Sequence, residues 1–183
     1  MWIAGVDEAG RGPIAGPVVA ACVVLPPRHT LAGIADSKQL TPAQREALYA
    51  AITQRALAWA IGLASPREIE RYNILQASLL AMRRAVLALP ILPQRVLVDG
   101  KHVIPNLPLP QQAVVGGDAL EESIAAASIL AKVARDRIMR ELDRLYPQYG
   151  FAQHKGYPTP LHLTRLRMYG ACPAHRRTYA PVA

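Results

Sequence analysis

The chain of 183 residues has only two cysteines, Cys22 and Cys172. Cys22 stands in an apolar run and reads as core. Cys172-Pro-Ala-His175 offers half of a metal site, and no second half with ligand spacing follows, which argues against zinc. So little cysteine fits a reduced, cytoplasmic protein. Long hydrophobic runs are missing too. The longest, Pro17 to Pro27, falls far short of the ~20 residues of a membrane span. The N-terminus lacks the positive region and long apolar segment of a signal peptide. No internal repeat or low-complexity linker divides the chain. A single domain over residues 1–183 is expected, and a hydrophobic fraction of 51% supports a core.

Acid is the scarcest resource in the last quarter. After Asp143 there is none, while Arg144, Lys155, Arg165, Arg167, Arg176 and Arg177 follow, with three histidines. Residues of about 144–183 therefore read as a basic, helical C-terminal region. The formal net charge is +8. A solvated face explains a basic tail alone. Coupled to carboxylates elsewhere, the same charge points to a polyanionic partner, above all nucleic acid.

What is present is an alternation of short apolar runs and capped helices. Residues 2–7, 17–25 and 57–64 read as strands, as do Val96-Leu97-Val98 and Ala113-Val114-Val115. Thr41-Pro42-Ala43-Gln44 opens a helix with an N-cap residue and proline in its first turn. Ser65-Pro66-Arg67-Glu68 is a capping box, and Leu75, Leu79, Met82, Val86 and Leu89 continue at helical spacing. Glu121 to Leu145 reads as a long helix, entered through Ala125-Ala126-Ala127-Ser128, small residues that let a helix lie close to a sheet. Thr159-Pro160 opens a last helix that Gly170 ends. The order predicts an α/β fold with a five-stranded mixed sheet flanked by helices.

Most of the thirteen acids sit on helices or at caps. Asp7, Glu8, Asp99 and Asp118 do not. Three of them end apolar, strand-like runs: Val6-Asp7, Val98-Asp99 and Gly117-Asp118. Strand ends on one edge of an α/β sheet are where sites assemble. Four carboxylates so close would repel without cations, and a divalent metal is the natural counter-charge. Two such ions suit phosphodiester hydrolysis. Aspartates that merely cap the turns after them fit the same positions one at a time. The turn Gly10-Arg11-Gly12 carries Pro13 and opens no clear helix, so it is not a dinucleotide fingerprint. It offers bare backbone beside the acids, suited to a 2′-hydroxyl, and an ordinary glycine turn is the alternative. In His154-Lys155-Gly156-Tyr157, Lys155 suits a phosphate and Tyr157 a sugar or base. Asp36-Ser37-Lys38 reads as a polar loop suited to phosphate contact.

These segments together resemble a known family, type 2 ribonuclease H, in its bacterial ribonuclease HII form. The resemblance rests on Gly-Val-Asp-Glu-Ala-Gly-Arg-Gly-Pro (5–13), Asp-Ser-Lys-Gln-Leu (36–40), Asn-Ile-Leu (73–75) and Val-Asp-Gly (98–100). It continues through Gly-Gly-Asp (116–118), Ala-Ala-Ser-Ile-Leu-Ala-Lys-Val-Ala-Arg-Asp (126–136) and His-Lys-Gly-Tyr-Pro-Thr (154–159), in the family's order. It implies an RNase H-like fold and cleavage of the RNA strand of RNA–DNA hybrids. It also implies incision 5′ of single ribonucleotides in duplex DNA, leaving 5′-phosphate and 3′-hydroxyl ends with Mn²⁺ or Mg²⁺. By the same resemblance Asp7, Glu8, Asp99 and Asp118 are the metal-binding catalytic acids. Gly10, Arg11 and Gly12 sense the 2′-hydroxyl, Tyr157 stacks on the junction sugar, and Lys38 and Asn73 contact the backbone, beside the phosphate contact read above for Lys155. Members often carry lysine two residues before the fourth acid, where this chain has Gly116. No tail for docking a sliding clamp is evident, and a monomer is expected. The rivals are a resolvase-like DNA nuclease of the same broad fold, and a basic binding module whose acids only cap turns.

Overall fold

A computed structural model describes residues 1–29, 31, 34 and 39–183. The Asp36-Ser37-Lys38 motif, and with it the expectation for Lys38, lies outside the described residues. Five strands form one mixed sheet: β1 (Ile3–Ala9), β2 (Val18–Val24), β3 (Ala58–Ala64), β4 (Arg95–Asp99) and β5 (Gln111–Val114). The spatial order is β3-β2-β1-β4-β5. β1 pairs antiparallel with β2, and β2 with β3. β1 pairs parallel with β4, and β4 with β5. All seven residues of β2 are buried, as its run of Val, Ala and Cys between two covered faces requires.

Among the described residues, seven helices accompany the sheet: α1 (Pro42–Arg55), α2 (Pro66–Tyr72), α3 (Ile74–Leu87), α4 (Gly117–Leu120), α5 (Glu122–Leu145), α6 (Phe151–His154) and α7 (Pro160–Tyr169). Strand alternation sends Val6, Ala20 and Cys22 into one core with α3, and Ala21 and Val23 into a second with α1 and α5. Gly5 permits the closest approach. A side-chain carbon there would run into the backbone of Ser123 and Ile124 at the start of α5. The three alanines that follow on α5 are buried, as small residues at a helix–sheet contact should be. Thr41 and Ser65 both complete capping boxes, with Gln44 and Glu68 as partners.

Two sequence expectations change. The helix opened by Ser65 is not continuous with the stripe from Leu75. Asn73, with φ of 73°, ends α2 and caps α3, its side-chain Oδ1 accepting from the Gln76 N–H as an N-cap residue does. The last strand starts two residues earlier, at Gln111, whose side chain exchanges hydrogen bonds with both the N–H and the carbonyl of Ile104 at 2.6 and 2.7 Å. Polar residues open this edge strand, so an apolar-run reading misses them.

The C-terminal segment packs a third cluster of Ala15, Met139, Tyr149, Phe151, Cys172 and Ala174. It is sewn to the β1–β2 turn. The N–H of Ile14 donates to Gly156 O at 2.9 Å, that of Gly16 to Ala174 O at 2.8 Å, and that of Arg176 to Ile14 O at 2.8 Å. No helix among the described residues is long and apolar enough to cross a membrane.

Candidate active site

The parallel pairing of β1 and β4 runs from Ile3 opposite Arg95 to Val6 opposite Val98. The next residue on each central strand is an aspartate, Asp7 and Asp99. Glu8 follows Asp7 directly. One carboxylate oxygen from each of the three lies within 4.8 Å of the other two. Asp7 is 6% exposed. Burial, then the neighbouring Glu8 and Asp99, hold its carboxyl well above the ordinary range, against a hydrogen bond from the Glu8 N–H at 2.7 Å. Glu8 Oε2 is buried and without a hydrogen-bond partner. Clustered acids with an orphaned buried oxygen fit a hard divalent cation, and an all-carboxylate donor set suits Mg²⁺ or Mn²⁺.

Asp118 does not end a strand. β5 stops at Val114, Gly116 turns the chain in a left-handed conformation, and Asp118 falls in the first turn of α4. Its N–H donates to Asp99 Oδ1 at 3.3 Å. Its side chain stands outside the 4.8 Å set and lines, with Glu8, a groove whose other wall carries Arg45 and Lys132. Three of the four expected acids are thus gathered, and the fourth borders the same groove.

Gly10 has φ of +95°, and a side-chain carbon there would strike the guanidinium of Arg135. The loop's carbonyls are not free, as bare backbone suggested. Gly10 O accepts from Arg176 Nη2 at 2.6 Å. Arg11 O accepts from Arg176 Nη1 at 3.1 Å and from the Tyr179 hydroxyl at 2.7 Å. Arg11 itself is exposed, its guanidinium 3.8 Å from Glu8 Oε1. A side-chain carbon at Gly12 would stand 3.5 Å from Cε1 of Tyr157, so Gly12 and the half-exposed Tyr157 ring form one ledge.

Lys155 C-caps α6 in a left-handed conformation. Its ammonium donates to Ala152 O, and burial lowers its pKa. Asp136, Arg140, Lys132 and Arg45 are near enough to act on it electrostatically, in a cluster where Lys132 pairs with Asp136 at 3.1 Å and Arg140 with Glu46 at 3.4 Å. Asn73 is exposed between α2 and α3, where its Oδ1 accepts from the Gln76 N–H at 3.0 Å. That duty is structural, and no contact among the described residues brings Asn73 to the acids.

Sequence reasoning missed the two residues that hold the loop. Arg176, counted above with the basic tail, is fully buried. Besides Gly10 and Arg11 it binds the carbonyls of Gly16 and Pro17 at 2.9 and 3.2 Å. Arg135, also buried, donates to Pro17 O at 3.0 Å, Ala15 O at 2.9 Å and Lys155 O at 2.7 Å. Burial beside Arg176 pulls its pKa down to about 10. A signal for Arg135 existed. Ala127, Ala131, Arg135 and Met139 recur every four residues and all are buried, so the arginine stands on the inward stripe of its helix. Cys172 and His175 make no metal site: His175 Nδ1 accepts from the Cys172 N–H at 3.0 Å.

Mixed five-stranded topology with carboxylates on its two central parallel strands defines the class, an RNase H-like fold. The comparisons narrow it. The Ribonuclease HII family matches residues 4–182. A ribonuclease HII of Polaromonas sp. is 59% identical over 181 residues, 99% of this chain and 90% of that one. The crystal structure of ribonuclease H2 from Pyrococcus horikoshii OT3 superposes with a TM-score of 0.84 at 33% identity, over 100% of this chain and 95% of that one. Ribonuclease HII of Archaeoglobus fulgidus, solved in complex with PCNA, gives 0.79 at 27%, over 98% and 95%. The chain belongs to the ribonuclease HII family. It is an endoribonuclease of the ribonuclease H type and acts on nucleic acid, which sets aside the resolvase and binding-module readings.

Proposed function

We propose that this enzyme cuts the RNA strand of RNA–DNA hybrids and incises duplex DNA on the 5′ side of a single embedded ribonucleotide, leaving 5′-phosphate and 3′-hydroxyl ends. The observation that carries the reading is the adjacency of two features. The Asp7–Glu8–Asp99 cluster lies at one end of the Gly10–Gly12 loop, and Tyr157 lies against the other. Asp7, Glu8 and Asp99, with Asp118 at the groove edge, would hold Mg²⁺ or Mn²⁺, two ions during the reaction. The chemistry such ions would supply there is activation of a water and stabilisation of the leaving oxygen.

The chain's own residues do the selecting. With the Gly10 and Arg11 carbonyls committed to Arg176, the loop meets a 2′-hydroxyl through its remaining backbone groups, close to the ledge at Gly12. Tyr157 packs its ring on the junction sugar. Arg11, Lys155 and, beyond the described residues, Lys38 meet phosphates as positive charges, and the flank of Arg45 and Lys132 extends that surface. The whole chain works as one monomeric catalytic unit, with residues from about 144 onward as scaffold for the loop and for Tyr157.

The test is a labelled DNA duplex with one ribonucleotide, incubated with Mg²⁺, with Mn²⁺ and with chelator. A single metal-dependent nick 5′ of the ribose is expected. Cleavage of a long hybrid without that nick would remove the sensing role given to the loop and Tyr157 and leave the acids their part.

A further inference from the structure

Three of the chain's five histidines meet in a buried cluster that the site above does not use. His162 and His175 are fully buried, and His154 is buried beside them. The rings of His154 and His162 stack with centroids 4.1 Å apart, and Phe151 meets both edge-on. Their hydrogen bonds assign each ring its proton. His175 Nδ1 faces the Cys172 N–H and accepts, so Nε2 carries the proton and donates to His162 Nε2 at 2.9 Å. His162 Nε2 then accepts, and its proton sits on Nδ1, which donates to the Tyr157 carbonyl at 3.0 Å. His154 Nδ1 accepts from the Gly156 N–H at 3.1 Å, and its Nε2 donates to Tyr149 O at 2.8 Å. A neutral imidazole has one donor and one acceptor. Every ring nitrogen is therefore used, and no lone pair is left for a metal. Burial pushes His162 and His175 down to a pKa of about 4, so the rings are neutral in ordinary buffers.

Donation runs one way, from the Cys172 N–H through His175 and His162 to the carbonyl of Tyr157. That carbonyl has a second donor, the Thr159 N–H at 2.8 Å, and the Tyr157 N–H donates to His154 O at 3.0 Å. The Tyr157 ring is 42% exposed, so its direction depends on how firmly this backbone is held.

We propose that His162 is a positioning residue for ribose recognition, fixing the backbone of Tyr157 through Nδ1–H and thereby the angle at which the Tyr157 ring meets the sugar. This rests on the sugar-stacking role given to Tyr157 above. His175 acts one step back, by accepting from Cys172 and so forcing the tautomer of His162.

The experiment compares kcat and KM on two substrates, a duplex with one ribonucleotide and an uninterrupted RNA–DNA hybrid. The proteins are wild type, His162→Leu, His162→Asn, His162→Gln, Tyr157→Ala and the double variant Tyr157→Ala/His162→Leu. A misdirected ring should cost His162→Leu about tenfold or more in kcat/KM on the single ribonucleotide, with a much smaller loss on the hybrid. Asparagine places its amide N–H where Nδ1 stands and should restore most of the activity. Glutamine, which reaches the Nε2 position, should not. The double variant should be no worse than Tyr157→Ala alone. Long-range ¹⁵N–¹H spectra of the wild type should show His162 protonated on Nδ1, and His154 and His175 on Nε2. Equal losses on both substrates, no difference between asparagine and glutamine, additive losses in the double variant, or another tautomer of His162 would each overturn the proposal. If Tyr157→Ala itself loses no more on the single ribonucleotide than on the hybrid, the sugar-stacking role falls and takes the proposal with it. If Tyr157→Ala is selective and the His162 variants are not, the proposal alone falls. Should His162→Leu fail to fold, the asparagine–glutamine pair and the spectra decide.

Discussion

Arg176, fully buried, donates to the carbonyl of Gly10 at 2.6 Å across 166 residues of sequence. The last segment of the chain thus sets the shape of a loop laid down at its beginning. That one guanidinium reaches four carbonyls: those of Gly10 and Gly16, and those of Arg11 and Pro17, which also accept from the Tyr179 hydroxyl and from Arg135 respectively. Arg176→Lys keeps the charge and loses the planar fork, leaving buried acceptors unpaired at about 1–3 kcal/mol each before relaxation. We expect a net loss of about 2–4 kcal/mol in urea unfolding. An unchanged midpoint would show that the loop holds itself.

Asp7→Asn separates charge from shape. The buried carboxyl of Asp7 is held up by burial and by Glu8 and Asp99, so the neutral isostere removes repulsion from the metal-free fold. The melting temperature without metal should be equal or higher. Added Mn²⁺ should raise it for the wild type and little for the variant. Turnover should fall by about two orders of magnitude or more, since the ions' contribution is lost. Near-normal turnover would refute the metal role of Asp7.

Much of this site was legible because its chemistry is local in sequence. Asp7 and Asp99 stand out as acids closing apolar runs, and parallel pairing of the runs brings them side by side. The small-residue entry to α5 announced its close packing. What stayed hidden depends on long-range contacts. An arginine that binds only carbonyls and a hydroxyl reads, in one dimension, as surface charge, and Arg176 was read so. Asp118 looked like a third strand end because Val114-Val115 precedes it, yet a left-handed Gly116 starts a helical turn first. The three histidines lie 8 and 13 residues apart, at no spacing that announces their contact.

The same histidines set an acid limit on the fold. His162 and His175 are held at about 4 in the folded state, below the ordinary value near 6.5. Between those values the unfolded chain takes up protons that the folded one refuses, so stability falls as pH drops from about 6.5 toward about 4 and is unaffected above. Each ring contributes a slope of at most about 1.4 kcal/mol per pH unit. Asp143 and Lys155 act on His154 from outside the cluster, in opposite directions, and the Arg67 guanidinium faces the His175 carbonyl at 2.5 Å. Urea unfolding at several pH values should show the fall, and a double variant at His162 and His175 should flatten it.

Gly116 stands two residues before Asp118, where the resemblance drawn from the sequence leads one to expect lysine. Its φ of +67° is costly for any other side chain, yet the space around it is open. Gly116→Lys should therefore lose about 1 kcal/mol of stability, the usual cost of a left-handed residue. The added cation beside the groove should lower KM and steepen its dependence on salt. A KM indifferent to the change at low salt would place no substrate phosphate near α4.

Gly10 and Gly12 look alike in sequence and should fail differently. At Gly10 a methyl group meets Arg135 in a backbone conformation of φ +95°, so both space and strain oppose it. Gly10→Ala should unfold at markedly lower denaturant, by about 2 kcal/mol or more, and lose activity on every substrate together. At Gly12 the same methyl group meets only Tyr157 Cε1, at an ordinary 3.5 Å. Gly12→Ala should therefore fold normally. Its methyl group fills the ledge that the ribose would occupy, so cleavage at a single ribonucleotide should fall about tenfold or more, while a long hybrid, with several riboses to present, should suffer less. Paired unfolding curves and kcat/KM ratios on the two substrates measure both effects. If Gly12→Ala proves as unstable as Gly10→Ala, the second glycine serves the loop's fold. If it is stable and cuts both substrates as the wild type does, the ledge does not touch the ribose.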